Sequence, residues 1–262
     1  LFNFESLFII TSLFIFGAIW GSFANVIIYR LPLGQSVVTP RSYCASCNTT
    51  IVWYHNIPIF SWLFLRGKCA KCQTHFSIRY PLVELLMATL FAVAGICIGF
   101  QWFLLEALIF IFALVTASFI DIDHMILPDK FTLSGIVIGL LGAFLNPERE
   151  FISALYGVLM GGGFLWAVGY LYYVIRGREG MGGGDIKLLA WIGAVLGWRS
   201  IPVVILVSSV LGSVIGIMLT FRTKDGLQQP IPFGPYLAAA TLLYLFLGGE
   251  HWADWYLSLH GL

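Results

Sequence analysis

Charge is scarce in this chain. Only 10% of its 262 residues are charged, against 59% that are hydrophobic. A soluble domain usually carries about 25% charged residues. The shortage excludes an ordinary water-facing surface, and lipid is the solvent that matches it. Basic and acidic residues nearly cancel, 14 against 13, for a net charge of +1. With no basic footprint, no nucleic-acid partner is expected. A cleavable signal peptide is missing by pattern too. It needs a basic start and a short apolar core. Here Glu5 is the only early charge, and the apolar run continues from Leu7 to Tyr29. The chain starts at Leu1 rather than Met. There is no G-x-S-x-G string, so a serine nucleophile elbow is not expected. There is also no G-x-G-x-x-G after a strand, the mark of a dinucleotide loop.

What is present is a series of apolar runs. Eight read as candidate membrane helices, at 7–29, 82–100, 102–120, 131–146, 152–175, 186–197, 201–221 and 234–249. The sixth is short for a span, which calls for tilt, extension by its neighbours or thinned bilayer. The predicted fold class is an all-α polytopic membrane protein of about eight transmembrane helices with a small cytoplasmic zinc-knuckle insertion. The expected partition is a first transmembrane helix at 1–29, a loop domain at 30–81 and a larger membrane domain at 82–262.

Basic residues orient the chain. With the N-terminus outside, twelve of the fourteen fall on inside segments, from Arg30 through the long 30–81 loop to Arg222 and Lys224. Only Arg149 and Arg199 fall outside. The positive-inside rule favours this arrangement. Both termini then face out, and Asp121, Asp123, Asp129 and Asp185 gather at the cytoplasmic edge.

Five cysteines are present, four of them in two pairs. Cys44 and Cys47 form one C-x2-C turn, and Cys69 and Cys72 form the other after 21 intervening residues. That spacing suits a tetrahedral zinc site with four thiolates and no open position, hence structural zinc. Two disulfides are the competing reading, disfavoured in a reducing cytoplasm. His55 and His75 are not needed as ligands. Cys97, alone in a candidate span, is expected to be a buried small hydrophobe.

The acids are the candidates for chemistry, since ionisable groups at membrane helix ends are functional suspects. Asp129 follows Pro128 and precedes an apolar run, so it suits a helix N-cap. Asp123 fits a solvated position. Asp121 is the first charge after FIFALVTASFI and lies nearest the bilayer. Asp185 follows three glycines, Gly182 to Gly184. It could be an N-cap, or the glycines could give a substrate backbone room to approach it. Two aspartates at one depth suit aspartyl protease chemistry, in which one carboxylate is a base for water and the other donates a proton. The rival reading is a multi-span transporter or channel with a cytoplasmic zinc knuckle, its acids forming an ion relay.

Several strings, in order, resemble the bacterial prepilin peptidases, or type IV leader peptidases. They are GSFANVIIYRLP (21–32), the two cysteine turns, NIPIFSWLFLRGKC (56–69), RYPLVELL (79–86), FIDIDHMILPD (119–129), GMGGGDIKLLAWIGAVLGW (180–198) and IPFGPYLAAA (231–240). The glycine–aspartate element also resembles the GxGD intramembrane aspartyl proteases. The resemblance implies an inner-membrane enzyme that removes the leader from type IV prepilins or pseudopilins at the cytoplasmic face. It implies N-methylation of the new terminus with S-adenosylmethionine. Asp121 and Asp185 become the expected catalytic pair, with Asp123 and Asp129 as fallbacks. No motif marks the S-adenosylmethionine site. Its expected neighbourhood is the cytoplasmic loop and the 21–26 segment, although Gly21, Ser22 and Asn25 suit helix packing equally.

Overall fold

The computed structural model describes residues 4–178, 180–220 and 231–249. Every regular element among them is helical, with two isolated antiparallel bridges, Tyr43–Thr50 and Lys68–His75. The long helices are α1 (Phe4–Arg30), α3 (Arg79–Ile98), α4 (Trp102–His124), α5 (Asp129–Leu145), α6 (Phe151–Arg176), α7 (Gly183–Leu196), α8 (Ser200–Thr220) and α9 (Gly234–Phe246). A five-residue α2 (Phe60–Phe64) follows a 3-10 turn at Trp53–Asn56. The eight expected apolar helices are therefore all present. Of these, α1, α3, α4, α6 and α8 are long and apolar enough to cross a membrane, while α9 is a shorter apolar helix. Arg222 and Lys224, counted above among the inside charges, lie outside the described residues.

The chain divides into two compact units, Leu1–Thr116 and Ala117–Leu262. In the first, α1 lies along α3. Small residues permit the close approach: a Cβ on Gly21 would stand 2.6 Å from the Glu84 Cα. Gly21 is thus a packing residue. The loop leaving α1 is pinned by buried Arg30, which donates to the carbonyls of Pro40 at 2.8 Å and Ser36 at 3.2 Å.

Cys97 corrects the sequence reading. It is exposed, not buried. It sits in the last turn of α3, whose buried residues end at Ala94. An apolar residue on a membrane helix can face lipid as readily as protein, so hydrophobicity alone does not assign burial there.

In the second unit α7 is the centre. It packs against α5, α6, α8 and α9. Every residue from Leu188 to Val195 is buried. A helix that is apolar all round belongs in such a place. Gly157 of α6 and Gly193 of α7 meet backbone to backbone, and a Cβ on either would collide with the other. At the C-terminal end of α7, Arg149 donates to the Ala194 carbonyl at 2.9 Å. A cation there complements the helix dipole. The 14 residues of α7 span about 21 Å. That is less than the hydrocarbon core of about 30 Å, and surrounding helices rather than lipid cover it.

Candidate active site and metal centre

The second unit brings the two leading acids to neighbouring helix ends. Asp121 lies in the last turn of α4 and is 5% exposed. Asp185 is the third residue of α7 and half-buried. The two carboxylates are near enough to interact by direct charge–charge force. Asp185 is not the N-cap, because Gly182 holds that place and Gly182 O accepts the Asp185 N–H at 3.2 Å. The acid is inside the helix, where its carboxylate lies over Gly182.

Asp121 is held by a residue that sequence reasoning passed over. The Gly234 N–H donates to Asp121 Oδ2 at 3.0 Å. Gly234 opens α9, so the positive end of that helix meets the carboxylate. Glycine keeps the carboxylate in place: a Cβ would stand 2.7 Å from Asp121 Oδ2 and push it away. The Leu127 side chain fills the space beside both Gly184 and Gly234. The glycine run before Asp185 therefore serves the chain's own packing at Gly184, while Gly183 faces open space. Gly234→Val should displace the Asp121 carboxylate and reduce any peptide cleavage by the acid pair by at least about tenfold, the scale of losing a hydrogen bond to a charged group. A peptide-cleavage assay on membranes containing equal protein checks this.

The fallback acids take other places. Asp123 is exposed. Asp129 is the first residue of α5, not its cap, which is Pro128. It pairs with Lys187 Nζ at 2.6 Å, tying α5 to α7 two residues after Asp185.

The cysteine tetrad assembles in the first unit. The four sulfurs lie within 4.8 Å of one another. Cys44 and Cys72 are 3.7 Å apart, Sγ to Sγ. A tetrahedral centre with metal–sulfur bonds of about 2.3 Å needs sulfurs about 3.8 Å apart, so the donor set fits zinc.

The two turns are one motif used twice. Cys44 N–H donates to Thr49 O at 3.0 Å, and Cys69 N–H donates to Thr74 O at 2.9 Å. Asn48 N–H returns to Cys44 O at 2.8 Å, and Gln73 N–H to Cys69 O at 3.0 Å. Asn48 and Gln73 both have positive φ, 52° and 59°. Each threonine hydroxyl faces the second sulfur of its turn, Thr49 at Cys47 (3.4 Å) and Thr74 at Cys72 (3.3 Å). The repeated C-x2-C-x-T string carried this signal.

The Thr74 hydroxyl, with its backbone, draws the Cys72 thiol from 9.0 down to about 6. A thiol lowered on folding stabilises the fold above its unfolded value, and that contribution is lost as pH falls through the folded one. Metal binding needs the thiolate and runs in the same direction. Zinc held by the four thiolates should therefore be retained at neutral pH and released on acidification. A chromophoric chelator titration reads the release, and zinc lost already at neutral pH would contradict this account.

A second buried acid was missed. Glu84 of α3 is 8% exposed and accepts the Ile59 N–H on Oε2 at 2.7 Å. Its signal was a lone acid in the apolar string RYPLVELL.

Comparison with known proteins places both units. The Bacterial Peptidase A24 N-terminal domain model matches residues 15–98, and the Type IV leader peptidase family model matches residues 108–217. A protein from Aeromonas hydrophila named Prepilin leader peptidase/N-methyltransferase is 40% identical over 273 residues, covering 94% of this chain and 92% of that protein. Proteins of the same name from Stutzerimonas stutzeri and Pseudomonas aeruginosa are each 38% identical, covering 90% and 89% of this chain and the same shares of their own. No solved structure matches significantly. With acids at two helix ends, a four-thiol cluster and relatives aligned over nearly its whole length, this chain belongs to the type IV leader peptidase family.

Proposed function

We propose that this protein is a membrane aspartyl endopeptidase that removes the leader from type IV prepilins or pseudopilins and then N-methylates the new terminus using S-adenosylmethionine. The observation that carries the reading is Asp121 and Asp185 at two helix ends, near enough to interact by charge, within the segment that matches the leader peptidase model. The names of the relatives support both activities.

In this mechanism one carboxylate takes a proton from a water between the two acids, and the oxygen attacks the scissile carbonyl carbon. The other acid, carrying the proton shared by the pair, donates to the carbonyl oxygen. The Gly234 N–H holds Asp121 while charge moves between the acids. When the C–N bond breaks, the leaving amine takes a proton from the pair and departs neutral. The substrate's own apolar segment docks among the helices and sets the register of the cut.

Localisation in the bacterial inner membrane follows from the apolar helices and the family. The basic-residue asymmetry supports a cytoplasmic 30–81 segment, a cytoplasmic site and outward-facing termini. Cys44, Cys47, Cys69 and Cys72 would hold a structural zinc that orders the 30–81 domain, leaving 82–262 as the membrane peptidase domain.

The test combines purified full-length protein, a prepilin and S-adenosylmethionine, with mass spectrometry of the products. Loss of the leader and gain of one methyl are expected. An uncut prepilin would sink the peptidase reading, and a cut but unmethylated product would sink the transferase.

A further inference from the structure

Between Arg41 and Arg66 the chain carries no Lys, Arg, Asp or Glu. At the usual share of about 25%, a water-facing stretch of that length would hold about six. Large apolar side chains stand exposed there instead: Trp53 is 79% exposed, Phe60 61%, Leu63 58% and Phe64 84%. Single exposed apolar residues are ordinary, but a cluster of them without charge marks a surface that meets something apolar.

Where this segment sits against α1 and α3 says what it meets. The Ile59 N–H donates to Glu84 Oε2 at 2.7 Å. Glu84 lies five residues into α3 from Arg79, about 7.5 Å along a helix long and apolar enough to span. Its Cα in turn lies against Gly21 of α1, nine residues before Arg30. Ile59 is therefore level with the apolar parts of both helices, further in than their terminal arginines. Trp53, Ile57 and Phe60 also share an open groove of about 1040 Å³ with Phe14, Ile19 and Phe23. Those three are exposed side chains of α1, on the face it leaves uncovered within this unit. The apolar surface of 53–64 is thus continuous with the lipid-facing surface of a spanning helix.

The backbone is prepared for the same surroundings, where an unpaired N–H is costly. The N–H groups of Ser61, Leu63, Leu65 and Gly67 donate to the carbonyls of Ile57, Ile59, Ser61 and Trp62. Ile59, at φ 64° and ψ −55°, makes a γ-turn of the rare positive-φ kind, closed by Phe60 N–H to Pro58 O at 2.6 Å. Glu84 takes the Ile59 N–H that this turn leaves over.

We propose that residues 53–64 are a membrane-interface anchor, with Trp53, Phe60, Leu63 and Phe64 inserted into the phospholipid surface from which α1 and α3 emerge. The depth of Glu84 agrees, since interfacial segments bury their apolar face about 5–10 Å into the headgroup and acyl boundary. Tryptophan and tyrosine are the side chains enriched at that level, and Trp53 and Tyr54 supply them. Charge agrees as well. From Arg30 to Val83 there are six Lys or Arg and no acid. Four thiolates on a zinc would take back only two of those charges. Exposed Arg66, two residues beyond α2, is placed for anionic headgroups. The occupant is lipid rather than a second protein, because the patch runs on from the lipid face of α1. The anchor holds the cysteine turns close to the bilayer surface. This inference goes beyond the enzymatic reading and needs neither of its activities; it rests on α1 and α3 spanning the membrane.

The test reads depth directly. Full-length protein is placed in vesicles of mixed neutral and anionic phospholipid that carry a diazirine near the carbonyl end of one acyl chain. After illumination, labelled residues are mapped by mass spectrometry. Residues 53–64 should take at least about tenfold more label than the cysteine turns at 42–50 and 68–77, because a probe about 5–10 Å deep reaches an inserted segment and not one standing in water. Label on 53–64 no greater than on those turns overturns the proposal, whether the segment then faces water or another copy of the chain. Hydroxyl-radical footprinting of the same vesicles gives the converse reading: Trp53 and Phe64 should be protected, and modification as strong as that of Tyr43 overturns the anchor. Trp53→Glu combined with Phe64→Glu should abolish the labelling of 53–64 while α1 and α3 keep theirs and zinc content is unchanged. If that variant loses its zinc, the unaltered protein decides alone. Cleavage and methylation are scored separately, so a protein active in both but unlabelled at 53–64 sinks only the anchor. One labelled there but inactive sinks only the enzymatic reading.

Discussion

Asp121→Asn and Asp185→Asn should each reduce leader cleavage by on the order of a thousandfold or more, the scale expected when a positioned acid–base group is lost. Asparagine keeps the shape and can still accept the Gly234 N–H at position 121. It cannot exchange a proton with water or with the scissile carbonyl. The double variant should be little worse than either single one, because the acids act as a unit and the effects do not add. Membrane insertion and zinc content should match the wild type, since neither residue belongs to the cysteine cluster. Normal cleavage by either variant would remove it from the catalytic pair. Asp123→Asn is the matched control: its exposed side chain predicts cleavage within about twofold of wild type.

Replacing Cys44 and Cys47 together by serine should have the second-largest effect. Both thiolates of one turn disappear, and two ligands cannot hold a tetrahedral metal. A structural zinc contributes about 10–16 kcal/mol to the fold it closes. That exceeds anything the short α2 and two isolated bridges of this segment supply. The variant should purify without stoichiometric zinc, and proteases should cut between residues 43 and 77 that are protected in the wild type. Metal analysis with limited proteolysis reads both. Wild-type protein containing no metal and intact disulfides would overturn the zinc centre and the cytoplasmic placement together.

Which parts of this were legible in the sequence follows from the range of the interactions. Apolar runs declared the helices because a bilayer demands some twenty apolar residues in a row, a local property. The cysteine turns were legible because each is closed within eight residues. Asp121 and Asp185 stood out because charge is rare in an apolar chain. The Gly234 contact to Asp121 spans 113 residues of sequence, and a glycine before a proline gives no hint of its partner. The bond from Ile59 to Glu84 is likewise long-range, and its positive φ falls on a residue type that avoids it. Asp185 and Asp129 each looked like a cap, but helix starts shift by a residue or two. In both cases the true caps, Gly182 and Pro128, lie earlier. Cys97 misled because apolar character marks the lipid-facing side of a membrane helix as well as its core.

The shortness of α7 has a consequence for how the protein is made. A segment of about 21 Å cannot hold itself across a bilayer, so it has no stable place until its neighbours have arrived. Its closest partner, α6, precedes it in the chain, but α8 and α9 are synthesised later. Asp185 therefore reaches its working position only near the end of biogenesis. The Gly234 N–H that holds Asp121 comes later still, from the start of α9. A nascent chain released early carries both acids and no assembled protease, which spares the membrane a half-built hydrolase.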